Sequence, residues 1–372
     1  MFAEIDDRRE QVHQAHHETF NWIFKHGSET GFAEWLSSGE GVFWIQGKPA
    51  SGKSTLMKLV AGEECLGELL KTWTGGVPLV VASFYFWVTG SQLQRSLAGL
   101  YRALLYQILE ADDRLCKVAF PNWRQKFSTT EPSLSMLTAA MNKLLAPRML
   151  SNNFFFFMID GLDEYEKDSI GKAELAEMVL NMTRSRRIKI LVSSRPEAPF
   201  ERAFRQQPML RLETLTAPDI AAYIRLRLWS DESRQIITSR EQKSLDDIRN
   251  FIIKHAQGVF LWVALVLDIA LDGIKNYEDP STIRDRVMLL PKELDTLFTH
   301  ILIERIPQHY RTEAFRYLLI ALEWQTCKHG PLLTSTIIAL AQHASSYEEA
   351  CSMMNASQAQ VEAMLTDRQN RW

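Results

Sequence analysis

One run of eight residues carries the strongest chemical signal in the sequence. It reads Gly47-Lys48-Pro49-Ala50-Ser51-Gly52-Lys53-Ser54 and matches the pattern G-x-x-x-x-G-K-[ST] in full. The glycines let the backbone turn tightly and bring its N–H groups close to phosphate oxygens. Lys53 supplies a cation for the β- and γ-phosphates, and Ser54 supplies a hydroxyl for Mg²⁺. We therefore predict a nucleotide-binding loop here, which Thr55 extends into a following helix.

A second set of candidate residues follows the apolar run from Phe154 to Ile159. Asp160 ends that run, where a parallel strand would deliver it to the ligand-binding edge of a sheet. We predict that Asp160 holds Mg²⁺ opposite Ser54, and that Asp163 or Glu164 positions the attacking water or supports the metal. An ordinary acidic strand-to-helix loop is the alternative interpretation.

A third candidate is Arg195, which follows the apolar run 190–192 and the polar pair Ser193-Ser194. If this strand lies beside the strand that precedes the phosphate loop, Arg195 can reach the γ-phosphate of a bound nucleotide and report its hydrolysis. The alternative is an arginine that only caps the edge of the sheet.

These side chains require a sheet whose strands share one direction. Five short runs are predicted to be strands, at residues 42–45, 79–87, 154–159, 188–193 and 209–212. Continuous apolar strands are typical of parallel sheets that are covered on both faces. Helical segments are predicted between them, opening with a capping box at residues 91–94 and continuing at 133–145 and 168–183. The pattern predicts an α/β domain.

The strand signal stops after about Leu212, and only helical patterns follow. A helix is predicted with Thr216 as its N-cap, and apolar stripes predict others near 245–252 and 294–302, the last ended by Pro307. Phe260 and Trp262 are predicted to be core residues. The predicted domains are a helical lead-in at 1–36, a nucleotide-binding domain at 37–213, a helical domain at 214–290 and a further helical region at 291–372.

Composition narrows the class of protein. The chain of 372 residues carries 42 basic and 45 acidic side chains, a net charge of −3, so we expect no nucleic-acid partner. The four cysteines lie far apart without a C-x-x-C pair, which predicts neither disulfides nor a zinc site. No secretory signal is visible and no apolar run is long enough to span a bilayer, so we expect a cytoplasmic protein.

The three motifs in this order, with a helical half behind them, resemble the NACHT branch of the signal-transduction ATPases with numerous domains. Further stretches resemble the version found in fungal NOD-like receptors: AHHETFNWIF at 15–24, DGLDE at 160–164, SSRP at 193–196 and GVFLWV at 258–263. The resemblance implies an α/β P-loop NTPase domain with a three-layer parallel sheet, then an all-α helical domain, then a winged-helix region that is partial here. It implies that Lys53 and Ser54 bind phosphates and Mg²⁺, that Asp160 is the metal aspartate and that Arg195 is a sensor.

Proteins of this kind are switches, closed with ADP at rest and oligomeric with ATP when triggered. The resemblance therefore implies ATP or ADP with Mg²⁺ as ligands, a homo-oligomer on activation, and a role in defence or regulated cell death. No sensor repeats and no effector domain are visible in the sequence.

Two departures from the family pattern bear on activity. Gly161 stands directly after Asp160, where fast P-loop ATPases of this class carry an acidic residue, so we expect slow hydrolysis. In related receptors a Gly-x-Pro element contacts the base of the bound nucleotide. Here Gly258-Val259-Phe260 stands in its place, so GTP remains possible as a ligand beside ATP. A small-molecule P-loop kinase or hydrolase and a nucleotide-independent scaffold remain as alternatives.

Overall fold

The chain divides into two compact units, residues 1–298 and 299–372. The computed structural model describes residues 5–15, 19–121, 131–150, 153–228 and 242–326. Most of the predicted region 291–372, from 327 onwards, lies outside these described residues, as do Cys327 and Cys351. Cys65 and Cys116 are exposed free thiols.

A five-stranded sheet forms the centre of the first unit. Its strands are β1 (Gly41–Gln46), β2 (Leu79–Tyr85), β3 (Phe154–Asp160), β4 (Ile188–Ser194) and β5 (Met209–Arg211). Their spatial order is β2-β3-β4-β1-β5, and the pairings between neighbours are all parallel. The five predicted strands and the predicted α/β P-loop fold class are confirmed. Strand β4 lies between β1 and β3, so the carboxyl ends of these three strands are neighbours.

Helices cover both faces of the sheet, as the continuous apolar strands predicted. On one face, Phe43 and Phe156 pack with α2 (Phe32–Ser38), α3 (Lys53–Gly62) and α4 (Glu64–Thr74). On the other face, Trp44 and Phe157 pack with α5 (Leu97–Ala111) and two later helices of the α/β half. The remaining helices of this half are α1 (Asp7–Gln11), α6 (Cys116–Ala119), α7 (Leu134–Leu144), α8 (Pro147–Leu150), α9 (Lys172–Met182), α10 (Ala198–Ala203) and α11 (Leu212–Leu215).

The chain after residue 215 is helical where it is described. The helices are α12 (Ala217–Leu228), α13 (Gln242–His255), α14 (Phe260–Lys275), α15 (Pro280–Met288), α16 (Leu294–His300) and α17 (Gln308–Thr326), with a π-helical turn at Ile301–Arg305. The predicted stripe Leu245, Ile248 and Ile252 is fully buried. Among the described residues, no helix combines the length and the apolar character needed to cross a bilayer.

Two helix starts differ from their prediction because side chains are used elsewhere. Residues 93–95 form a 3₁₀ turn instead of opening α5, which begins at Leu97 with Ser96 Oγ accepting from Gly99 N at 3.1 Å. Helix α9 begins at Lys172 and not at Asp168, whose carboxylate accepts from Leu97 N and the Tyr165 hydroxyl. The helix predicted after Thr216 does begin at Ala217, although the Thr216 hydroxyl has no hydrogen-bond partner within the described ranges.

Candidate functional site

The predicted phosphate loop joins β1 to α3 and has the tight backbone that its glycines suggested. Gly52 has a φ of 97° and Ala50 a φ of 57°, so the chain takes the left-handed conformation twice within three residues. A Cβ on Gly47 would lie only 2.6 Å from Ser51 Oγ. The loop is therefore a narrow concave turn that leads into the positive end of α3, a geometry that suits phosphate.

Two polar side chains of the loop point into this turn. Lys53 Nζ donates to the carbonyl oxygens of Gly47 and Lys48 at 2.8 and 2.9 Å. Burial lowers the pKa of Lys53, while the charges of Asp163 and Asp160 raise it. Ser51 Oγ is buried and has no hydrogen-bond partner among the residues that the structure describes. A lysine and an unpaired hydroxyl inside a glycine-bounded turn fit a ligand rich in oxygen.

Asp160 ends β3 and is 1% exposed. Ser193 Oγ donates to its carboxylate and accepts from Gly161 N at 3.0 Å. Burial raises the pKa of Asp160, and hydrogen bonds from Ser193 and Ser54 lower it. Ser54 and Asp160 therefore face each other as two oxygen donors, the set with which proteins hold Mg²⁺ alongside substrate phosphates. Within the described ranges, no group of three or more His, Cys, Asp or Glu is placed to hold a metal ion.

Asp163 and Arg195 form an ion pair at the same edge. Arg195 Nε lies 2.9 Å from Asp163 Oδ2, and Arg195 N donates to Oδ1 at 3.0 Å. The Asp163 side chain is 5% exposed, whereas that of Arg195 is 48% exposed. Lys172 Nζ donates to the Asp163 carbonyl at 2.7 Å and to Glu197. The carboxylate of Asp163 is thus committed to Arg195, while the arginine stays accessible from solvent.

Glu164 is the third carboxylate of this edge. Its Oε2 accepts from Val88 N at 3.0 Å, which ties it to the chain that follows β2. Burial raises the pKa of Glu164, and the nearby charges of Asp160 and Asp163 act in the same direction. A carboxyl with a raised pKa beside a phosphate loop has the properties of a general base.

The strand order brings all these residues together. Gln46 pairs with Ser194 in the β1–β4 register, and Gly47 N donates to Ser194 O at 3.3 Å. Arg195 therefore lies beside the phosphate loop, because its strand β4 is the neighbour of β1, as its predicted reach to the γ-phosphate required. The loop, the three carboxylates and Arg195 share the carboxyl edge of one sheet. Their individual chemical roles stay predictions.

Residues of the lead-in and of the helical half both reach the loop, and the sequence did not indicate this role for them. Phe20 Cζ and Phe260 Cδ2 lie 3.4 and 3.6 Å from the position that a Cβ on Gly52 would take, and their ring centroids are 6.0 Å apart. Leu261 N, in the first turn of α14, donates to Ala50 O at 3.4 Å. Phe260 is partly buried against the core, as predicted, and its ring also packs on the loop. Trp262 is buried as predicted.

Asp219 holds the lead-in segment in this place. Its carboxylate accepts from Phe20 N at 3.1 Å and from Trp22 Nε1 at 2.8 Å, and the residue is 4% exposed. In the sequence it appeared only as an acidic residue in the first turn of a helix. No local pattern signals a partner about two hundred positions away.

The comparisons with known proteins agree with the motifs. Residues 18–195, just under half of the chain, match the family model described as nephrocystin 3, N-terminal. The vegetative incompatibility protein HET-E-1 of Podospora anserina is 25% identical over 298 residues, which cover 77% of this chain. The chain spans about 20% of the length of that relative.

Two solved structures of archaeal proteins are also similar. The ORC2 protein of Aeropyrum pernix, solved as ADPNP and ADP complexes, has a TM-score of 0.39 at 14% identity, covering 93% of this chain and 88% of that one. Cdc6p of Pyrobaculum aerophilum has a TM-score of 0.37 at 11% identity, covering 91% and 82%. The family match and the fungal relative, together with the parallel sheet and its phosphate loop, support the resemblance to NACHT-like, NLR-like P-loop proteins that the motifs predicted.

Proposed function

We propose that this chain is a nucleotide-regulated signalling switch that binds ATP or ADP with Mg²⁺ and hydrolyses ATP slowly. One observation carries the proposal: Lys53 and Ser54, Asp160, and Arg195 lie at the carboxyl ends of three adjacent parallel strands. This edge is where ligands bind in open α/β sheets.

Each residue has a separate task in this proposal. The loop backbone from Gly47 to Thr55 surrounds the phosphates, and Lys53 exchanges its two loop carbonyls for β- and γ-phosphate oxygens. Ser54 and Asp160 would hold Mg²⁺, which supplies charge that offsets the phosphates. Arg195 leaves Asp163 to contact the γ-phosphate, since its guanidinium is exposed and already beside the loop.

The proposed slowness follows from the backbone after Asp160. Gly161 has a φ of 70°, and a Cβ there would lie 3.3 Å from the Phe86 carbonyl oxygen. A carboxylate cannot occupy this position without strain, and Asp163 is bound to Arg195. Glu164 remains as the base. It lies three positions after Gly161, where fast enzymes carry their acidic residue, and it accepts a hydrogen bond from Val88 N. A displaced base aligns water poorly, and such misplacement costs large factors in rate.

Contacts between the loop and the helical half would carry the nucleotide signal. Lys48 Nζ donates to Gln257 Oε1 at 3.2 Å, and Leu261 N donates to Ala50 O. A change in the loop on binding is thus felt directly at the start of α14. By similarity to a vegetative incompatibility protein, we propose a cytoplasmic signalling role, with the domain limits 1–36, 37–213, 214–290 and 291–372.

The proposal is tested by measuring mass in solution together with single-turnover hydrolysis. We expect a monomer with Mg²⁺-ADP and a larger assembly with a non-hydrolysable ATP analogue. We also expect turnover well below that of P-loop enzymes that carry an acidic residue directly after the metal aspartate. A chain that stays monomeric with the analogue is no oligomerising switch. Rapid turnover by a monomer would point instead to an enzyme with a small-molecule substrate.

A further inference from the structure

The short helix α1 lies against the acidic side of the nucleotide site, although it precedes the matched region of the chain. Lys58, on the helix that follows the phosphate loop, donates its Nζ to Glu10 O at 3.2 Å and to Val12 O at 2.6 Å. Val12 is 6% exposed. At the other end, Ile5 packs against the core on the face of the sheet that α5 covers. The segment 5–12 is therefore held at both ends.

This placement sets Arg8 beside the carboxylates. Its guanidinium carbon lies 5.8 Å from the centroid of the Trp87 ring. Trp87 stands between Phe86, whose N–H donates to Asp160 O at 3.0 Å, and Val88, whose N–H donates to Glu164 Oε2 at 3.0 Å. The aromatic contact thus places the guanidinium beside the segment 86–88, whose backbone contacts both acidic residues.

The Arg8 side chain is not otherwise used in the described structure. Its Nε is buried and has no hydrogen-bond partner in the part of the chain that the structure describes. Burial raises the pKa values of Asp160 and Glu164, and the charge of Arg8 is among the influences that lower both. The other cations of the site are engaged, Arg195 with Asp163 and Lys53 with loop carbonyls.

We propose that α1 is a strap that places Arg8 as an internal cation on the acidic side of the nucleotide site, where it competes with Mg²⁺. The argument rests on the proposed function. A guanidinium and a divalent cation beside the same carboxylates repel each other, so each weakens the binding of the other by the same factor. Arg8 would then keep the site electrically balanced while the metal is away, and Mg²⁺-nucleotide would loosen the strap.

The first test measures the Mg²⁺ concentration at which a fluorescent ADP analogue is half bound. We expect Arg8→Ala to lower this midpoint about fivefold, the lower end of typical coupling factors. Arg8→Lys keeps the charge and should stay near the wild-type midpoint. Arg186→Ala is the control, because it removes an arginine that is 84% exposed and pairs with Glu40 instead. An Arg8→Ala midpoint equal to or above that of the wild type overturns the proposal.

The second test is hydrogen exchange at residues 7–12, which needs no nucleotide. Arg8→Ala should exchange faster in this segment than wild type or Arg186→Ala, and adding Mg²⁺ with the ADP analogue should speed exchange in the wild type. If no form binds nucleotide, the proposed function fails, and the competition with Mg²⁺ fails with it. Faster exchange in Arg8→Ala would still show that Arg8 holds this segment in place, whereas unchanged exchange would refute the strap as well.

Discussion

Lys189 is a fully buried lysine on β4, and its burial makes stability depend on pH. Its Nζ donates to the carbonyl oxygens of Trp35 and Leu36, both at 2.6 Å, at the end of α2. The ring of Trp73 lies 4.3 Å from the ammonium and that of Trp35 5.5 Å. Burial lowers the pKa of Lys189 from its ordinary 10.5 to about 7, against the opposing charge of Glu40.

The direction of this pH dependence follows from the number of protons that the folded and unfolded states bind. Between pH 7 and 9 the unfolded chain keeps the lysine proton, while the folded chain gives it up. Stability therefore rises with pH wherever the unfolded state binds more protons. A full proton of difference is worth about 1.4 kcal/mol per pH unit, so over this window the free energy of unfolding should rise by about 2 kcal/mol. Because the folded chain has already lost half of this proton at pH 7, the free energy of unfolding rises less steeply just above pH 7 than near pH 9.

Chemical denaturation at pH 7, 8 and 9 measures this rise. Lys189→Met keeps an unbranched side chain of similar length but cannot titrate, so the rise of about 2 kcal/mol should be missing from the variant. Lys71→Met, which removes a lysine that is 73% exposed, should keep the wild-type rise. If Lys189→Met and the wild type show the same pH dependence, Lys189 stays charged when buried and the reasoning is refuted.

Two further predictions concern the site. Asp219→Ala leaves Phe20 N and Trp22 Nε1 without their acceptor, so urea denaturation should show a loss of about 1–3 kcal/mol; a loss within error would mean that the lead-in segment is held without Asp219. Glu164→Gln should slow single-turnover ATP hydrolysis by about 100-fold or more while nucleotide affinity stays within about twofold. Unchanged hydrolysis in that variant would exclude Glu164 as the base.

Much of the fold follows from local sequence signals. The five strands were predictable because apolar residues dominate each run, a pattern typical of a sheet covered on both faces, although β4 includes Lys189 and β5 includes Arg211. The loop at residues 47–54 was predictable because its glycines and lysine meet a strict geometric requirement. Asp160 and Arg195 followed as polar residues at the carboxyl ends of such runs, where the sheet places them together.

The remainder depends on contacts between distant positions. Asp219 stands in the first turn of a helix, yet its carboxylate accepts hydrogen bonds from Phe20 and Trp22 across the fold. Ser91 has the spacing of a capping box, but the helix begins after Ser96. The nearness of Arg8 to the carboxylates arises from the path of the segment before the domain. Local periodicity carries no information about such pairs, because the residue type at one position does not indicate which distant residue it contacts.

The most direct measurement of the central claim is the nucleotide that the purified chain carries. Denaturing the protein and separating the released small molecules identifies it, with Lys53→Ala as the test variant and Lys71→Ala as the control. We expect the wild type and Lys71→Ala to release ADP or ATP and Lys53→Ala to release neither, since that variant lacks the cation of the loop. A wild type that is empty and ignores added Mg²⁺-ATP and Mg²⁺-GTP, or a Lys53→Ala variant that binds as tightly, would contradict the account.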